Sequence, residues 1–289
     1  MNAHKNRPAS RDAGHHPKHS LGQNFIHDPG LLKELAALSA VTSGDCVLEI
    51  GPGMGTLTRA LAERARRVLC VEIDQTLEPF LALVLQAHPN AEVVFSDVMQ
   101  TNLAKLCLEH FGSNASIRVA ANLPYYITTD VLQKLMRELT QARSIAVMVQ
   151  AEVAQKLIAA PGDEGYGPLC LECQWRYAVR IARFVPAECF DPKPKVDSAF
   201  VVLERRSTPP CMVSDEGLLL RLFRSAFAMR RKTLVNNLRA FPGMDKDRVE
   251  ACLLRAGLLP TARAEQMDID AFCRLADAMA SIQKGQDDA

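Results

Sequence analysis

Asn122-Leu123-Pro124-Tyr125 places an amide, a rigid turn and an aromatic ring together, directly after a short apolar run. These are the residue types that would grip a flat base carrying an exocyclic amino group. Such a nitrogen is a poor nucleophile because its lone pair is delocalised into the ring, so a site that alkylates it must turn that lone pair out of conjugation. The side-chain oxygen of Asn122 and a nearby main-chain carbonyl can each accept one amino hydrogen, which aims the remaining lobe at an electrophile. Pro124 locks its own φ and confines Leu123 to extended conformations, so the carbonyl direction is preset. Tyr125 can stack on the base, a contact worth about 1–3 kcal/mol and tolerant of sequence. Taken alone, the tetrapeptide reads equally well as a strand that ends in a proline turn with a partly buried tyrosine.

The segments upstream supply the frame. Cys46-Val47-Leu48-Glu49-Ile50 reads as a buried strand that runs into Gly51-Pro52-Gly53-Met54-Gly55 and then a helix from Leu57 to Arg64. A glycine loop between a strand and a helix is where doubly wound folds bind nucleotides. The third glycine comes one residue earlier than in a dinucleotide fingerprint, and Pro52 removes an N–H that a pyrophosphate would use, which disfavours a nicotinamide dehydrogenase. The strand Val68–Val71 ends at Glu72, placed where an acidic residue accepts hydrogen bonds from ribose hydroxyls. Val93–Phe95 ends at Ser96-Asp97, and Ile117–Ala121 ends at Asn122. In an open α/β sheet ligands lie beyond the carboxyl ends of the strands, so Gly51, Glu72, Asp97 and Asn122 are expected to line one crevice.

Together, the glycine loop, Asp97 and Asn122-Leu123-Pro124-Tyr125 resemble the S-adenosylmethionine-dependent ribosomal RNA adenine dimethyltransferases. The resemblance extends to Leu21-Gly22-Gln23-Asn24-Phe25-Ile26, to Phe190-Asp191-Pro192-Lys193-Pro194-Lys195-Val196-Asp197-Ser198-Ala199, to Phe227–Leu234, and to Gly257 and Arg263-Ala264-Glu265, covering about residues 18 to 280. It implies an α/β fold: a Rossmann-like S-adenosylmethionine-dependent methyltransferase domain with a smaller C-terminal helical domain. It further implies that Asn24, Ile26, Gly51, Gly53, Glu72, Asp97 and Asn122 contact S-adenosylmethionine, with Glu72 on the ribose and Asp97 on the adenine amino group of the cofactor. Asn122, Pro124 and Tyr125 would serve the target base, and Phe190 would close its other side. Tyr126 departs from relatives that carry a small polar residue there. The implied reaction is dimethylation of two adjacent adenosines near the 3′ end of small-subunit (16S) rRNA, within an immature ribosomal small subunit. Relatives that methylate large-subunit rRNA share the cofactor motifs, and a role as an assembly factor can coexist with catalysis. No His or Glu stands near Asn122 in the sequence, which fits direct methyl displacement without a strong base.

Composition agrees with this reading. A chain of 289 residues exceeds the usual size of one core, so two domains are expected. The expected divisions are a disordered tail over 1–17, a methyltransferase domain over 18–205 and a helical RNA-binding domain over 206–289, with the break at the polar proline turn Arg205–Pro210. The net charge is only +1, yet between Glu204 and Arg263 basic residues outnumber acidic ones about two to one. Helical spacing turns Phe223, Phe227, Leu234 and Leu238 toward a core and leaves Arg224, Arg230, Arg231 and Lys232 to meet RNA, although any one of these reads equally as a solvated surface charge. Nine scattered cysteines argue against disulfides, and Cys170 and Cys173 read as buried thiols rather than metal ligands, so no metal is expected. No run is long and apolar enough to span a membrane and no secretory segment is present, so a cytoplasmic protein is expected, with a monomer sufficient to bind a large particle.

Overall fold

The computed structural model describes residue 18, residues 21–229 and residues 231–287. The tail over 1–17 therefore lies outside the described residues, as does Arg230. The first elements in chain order are β1 (Phe25–Ile26), α1 (Pro29–Leu38), β2 (Asp45–Ile50), α2 (Thr56–Ala62), β3 (Arg67–Glu72), α3 (Glu78–Ala87), β4 (Ala91–Phe95), α4 (Leu103–Phe111), β5 (Ser116–Asn122), α5 (Thr128–Glu138) and β6 (Ser144–Gln150). They are followed by α6 (Ala151–Leu157), α7 (Pro168–Arg176), β7 (Tyr177–Val185), β8 (Phe190–Asp191), β9 (Ser198–Arg205), α8 (Glu216–Ala226), α9 (Leu234–Leu238), α10 (Lys246–Arg255) and α11 (Ile269–Asp287).

Helix starts are marked locally. Asp28, Asn102, Asp215 and Asp245 each accept a backbone N–H two or three residues on, and Pro29 follows the first of them. The apolar runs become strands of one seven-stranded sheet in the order β4-β3-β2-β5-β6-β9-β7. Strands β4, β3, β2, β5 and β6 are mutually parallel, and β9 joins β6 antiparallel. All six residues of β2 are buried, as expected for a central parallel strand covered on both faces. A separate two-stranded ribbon pairs β1 with β8, setting Ile26 opposite Phe190.

The chain forms two compact units. One comprises the residues up to Ala154 together with Arg180–Glu204, and the other comprises Gln155–Val179 together with Arg205–Ala289. Residues 155–179 group with the helical unit because α7 packs into its core through Cys170, Leu171 and Trp175. That core also takes Phe223, Leu234 and Leu238 as the spacing predicts, with Phe227 packed at its edge.

The expectation about disulfides fails at one place. Cys211 and Cys273 form a disulfide in the helical unit, where the segment before α8 meets α11. Cys170 and Cys173 are free and buried in α7, and burial pushes the Cys170 thiol up to about 12. No helix among the described residues is long and apolar enough to cross a membrane.

Candidate active site

The carboxyl ends of β2, β3, β4 and β5 open into a single cleft of about 240 Å³, whose wall includes Asn24, Ile26, Gly51, Gly53, Glu72, Asp97, Asn122, Pro124 and Tyr125. Gly51, Gly53 and Gly55 all have φ between 60° and 75°, a region that costs a residue with a Cβ atom. They differ in what surrounds them. A Cβ on Gly53 would lie 2.6 Å from the Phe25 ring, so this glycine lets β1 press against the loop. A Cβ on Gly51 would meet nothing within 4 Å, leaving open space over the loop for a ligand.

Glu72 ties the loop to β3. Its Oε2 accepts the Gly53 N–H at 3.1 Å, and its Oε1 accepts the Asp74 N–H at 2.9 Å. These bonds fix the carboxylate in place and leave acceptor capacity toward the cleft. Burial pushes this carboxyl up, against the opposing hydrogen bonds from Asp74, Gly53 and Ile73. A second buried acid, Glu49, lines the same cleft one residue before the end of β2 and is 1 % exposed. Burial pushes its carboxyl up to about 7, hydrogen bonds from Thr58 and Cys70 oppose that, and the charge of Glu72 adds to it. Burial disfavours the charged form of both acids, and a positively charged ligand in the cleft would favour it. Sequence reasoning passed over Glu49, although one acid inside an apolar strand was the available signal.

Asp97 is oriented by its own turn. Its Oδ1 accepts the Met99 N–H at 2.8 Å and its Oδ2 accepts Gln100 Nε2 at 3.1 Å.

Asn122 donates Nδ2 to the Asn24 carbonyl at 2.8 Å, an amide orientation assigned from that bond, and its Oδ1 has no hydrogen-bond partner among the described residues. The Pro124 carbonyl is already taken, by Thr128 Oγ1 at 3.0 Å and by the Ile127 N–H at 3.3 Å. The Leu123 carbonyl accepts no hydrogen bond among the described residues, which makes it the acceptor beside Asn122. Pro124 thus acts by shaping the turn. The Tyr125 hydroxyl lies 2.6 Å from Ser198 Oγ on β9, and burial pushes the phenol up against that bond. Ser198 is fully buried, so it pins the ring from behind. Tyr125→Phe keeps the ring and loses only this anchor, about 1 kcal/mol. The expected result is a kcat reduced by about fivefold, measured at saturating substrate.

Other expected site residues lie elsewhere. Phe190 is 4 % exposed and packs in the core cluster with Ile26, Leu31 and Phe200, outside the cleft wall. The ring is held in that cluster by the β1–β8 ribbon. Arg224, expected to be free for RNA, gives Nη2 to Glu172 Oε2 at 3.2 Å within the helical unit. Arg231 and Lys232 are exposed.

Comparison with known proteins gives the same assignment. Residues 14–281 match the family described as ribosomal RNA adenine dimethylase. The ribosomal RNA small subunit methyltransferase A of Geobacillus kaustophilus is 39 % identical over 268 residues, covering 92 % of this chain and 92 % of its own. The protein of that name from Ligilactobacillus salivarius is 40 % identical over 268 residues, covering 92 % of this chain and 90 % of its own. Among solved structures, the 23S rRNA methyltransferase ErmE superposes with a TM-score of 0.66 at 28 % identity, over 89 % of this chain and 100 % of that one. A dimethyladenosine transferase from Plasmodium falciparum shares the fold, with a TM-score of 0.75 at 23 % identity over 91 % of this chain and 98 % of that one. With a Rossmann-like methyltransferase sheet, a glycine loop held by Glu72 and a paired-acceptor turn at Asn122, the chain belongs to the ribosomal RNA adenine dimethylase family.

Proposed function

We propose that this protein uses S-adenosylmethionine to dimethylate the amino groups of two adjacent adenosines near the 3′ end of small-subunit rRNA. The observation that carries the reading is the pairing of two unoccupied acceptors, Asn122 Oδ1 and the Leu123 carbonyl, beside Tyr125 in the same cleft as the Glu72-anchored glycine loop. S-adenosylmethionine supplies a methyl group already activated by a sulfonium. Glu72 holds the ribose, Asp97 the adenine amino group, the space over Gly51 admits the ligand backbone, and Asn24 and Ile26 form the facing wall. The positive ligand would favour the ionised forms of Glu49 and Glu72, which burial alone disfavours. Asn122 and Leu123 orient the target nitrogen and Tyr125 stacks on its base. No side chain need act as a strong base: the nitrogen lone pair would form the N–C bond as the S–C bond breaks and the neutral thioether is left behind, and the methylated nitrogen, now acidic, would give its proton to solvent as the site opens. Although Glu49 shares the cleft, it is engaged with Cys70 and Thr58. The target adenosine reaches the cleft out of its stack. Phe190 supports this arrangement by holding β1, which carries the wall.

The helical unit holds the polyanion, with Arg231 and Lys232 as phosphate contacts and Arg230 beside them in sequence. Replacing Arg231 and Lys232 together by alanine is expected to lower the magnitude of the salt slope of RNA binding by about 1.4–1.8. An unchanged slope in a salt titration would remove them from the interface. The substrate in this reading is an immature small subunit in the cytoplasm, bound by a monomer.

The deciding experiment incubates the protein with labelled S-adenosylmethionine and small subunits lacking the modification, then identifies the labelled nucleosides. Dimethyladenosine near the 3′ end is the expected result. The likeness to ErmE supports a second reading, methylation of large-subunit rRNA. Label confined to large-subunit RNA would establish that reading, and no label in either RNA would leave a binding role in assembly.

A further inference from the structure

Asp74 stands two residues past Glu72 and is 3 % exposed. Its Oδ1 accepts Lys18 Nζ at 2.6 Å, Thr76 Oγ1 at 2.6 Å and the Thr76 N–H at 3.1 Å. Its Oδ2 accepts Gln23 Nε2 at 2.8 Å, and Gln23 Oε1 in turn accepts the Lys18 N–H at 2.8 Å. The Asp74 N–H is spent on Glu72 Oε1. Capping the short turn Gln75–Leu77 needs only the bond from Thr76 N–H. The bonds from Lys18 and Gln23 are therefore surplus to local structure, and both come from the N-terminal segment. Burial works to push this carboxyl up, but the hydrogen bonds from Lys18, Thr76 and Gln23 outweigh it and hold Asp74 well below the usual carboxylate range.

The same segment meets the cleft further along. The Asn24 carbonyl takes Asn122 Nδ2, the Phe25 ring lies against Gly53, and Leu21 through Ile26 line the wall that faces the strand ends. Asp74 is thus bonded through its backbone N–H to the acid beneath the ligand and through its carboxylate to the segment that forms the wall.

We infer that Asp74 is a positioning residue that fastens the segment around Gln23 over the cofactor end of the cleft, so that its bonds to Lys18 and Gln23 set how long S-adenosylmethionine stays bound. The inference rests on the proposed reading that the cofactor lies against Glu72. Releasing the fastening opens the wall between Leu21 and Asn24 and leaves the two acceptors at Asn122 and Leu123 in place. The loss therefore falls on cofactor residence and not on methyl transfer.

The test compares Asp74→Asn, Lys18→Met and Gln23→Ala with the unaltered protein in calorimetric and stopped-flow binding of S-adenosylmethionine, together with steady-state kinetics on small subunits. For Asp74→Asn, Kd and KM for the cofactor are expected to rise about tenfold through faster dissociation, with kcat at saturating cofactor within about twofold. Lys18→Met and Gln23→Ala should shift in the same direction by less, and they decide the matter if Asp74→Asn does not fold. Hydrogen exchange over residues 21–26 should quicken in the variants and lose its protection by cofactor, while exchange in β2 and β5 is unchanged. Cofactor affinity equal to that of the unaltered protein in all three variants would overturn the inference. So would a kcat that falls at constant KM, the pattern of a merely destabilised enzyme. If the unaltered protein itself binds no S-adenosylmethionine, the proposed function fails first.

Discussion

Asn122→Ala is expected to lower kcat by about two to three orders of magnitude, the loss seen when one prepositioned polar group at a reacting centre is removed. Oδ1 is one of the two free acceptors at the turn, and alanine leaves only the Leu123 carbonyl, so on the proposed reading the amino group would no longer be held out of conjugation. The substitution also removes the donor to the Asn24 carbonyl, which loosens one point of the cleft wall. Affinity for S-adenosylmethionine should consequently fall too, by about tenfold at most, the worth of one such hydrogen bond. Single-turnover methylation at saturating cofactor, set beside direct binding, separates the two effects. Rates within a few-fold of the unaltered protein would mean that another group orients the base.

Glu72→Ala carries the opposite signature. Two hydrogen bonds from ribose hydroxyls to a carboxylate contribute about 3 kcal/mol together, so Kd for the cofactor is expected to rise by about a hundredfold or more. The N–H groups of Gly53 and Asp74 lose their acceptor as well, and the glycine loop loses its tie to β3. Glu72→Gln keeps one acceptor oxygen and should fall between the two. Calorimetric titration reads the series directly, and an affinity unchanged in Glu72→Ala would place the ribose elsewhere.

The sheet was legible because parallel strands buried on both faces are short apolar runs, and each of β2, β3, β4 and β5 hands over to a polar or glycine residue where it ends. Gly51, Glu72, Asp97 and Asn122 could be brought together from that pattern alone. What escaped was what depends on chain segments meeting from a distance. Ser198 reaches Tyr125 only because β9 enters the sheet antiparallel beside β6, a pairing that no local pattern announces. Phe190 is covered because β8 pairs with β1, which lies far earlier in the chain. The grouping of residues 155–179 with the helical unit depends on a core face of α7 whose partners begin at Leu218. Cys211 and Cys273 stand 62 residues apart, and cysteine spacing alone could not pair them. Asp74 looked like an ordinary turn residue because its partners, Lys18 and Gln23, come from another part of the chain.

The acceptors at Asn122 and Leu123 also bear on how a turnover ends. An amino nitrogen that carries two methyl groups has no hydrogen left to donate, so on the proposed reading the finished base faces two carbonyl oxygens it cannot satisfy. Each acceptor left unpaired costs about 1–3 kcal/mol, and the added methyl groups crowd the same space. The geometry that selects the unmodified base thus expels the finished one, and the chemistry itself drives release. Fully modified subunits should accordingly compete for the protein more weakly than unmodified ones, and equal competition by both would show that the large RNA contact, rather than the base, governs departure.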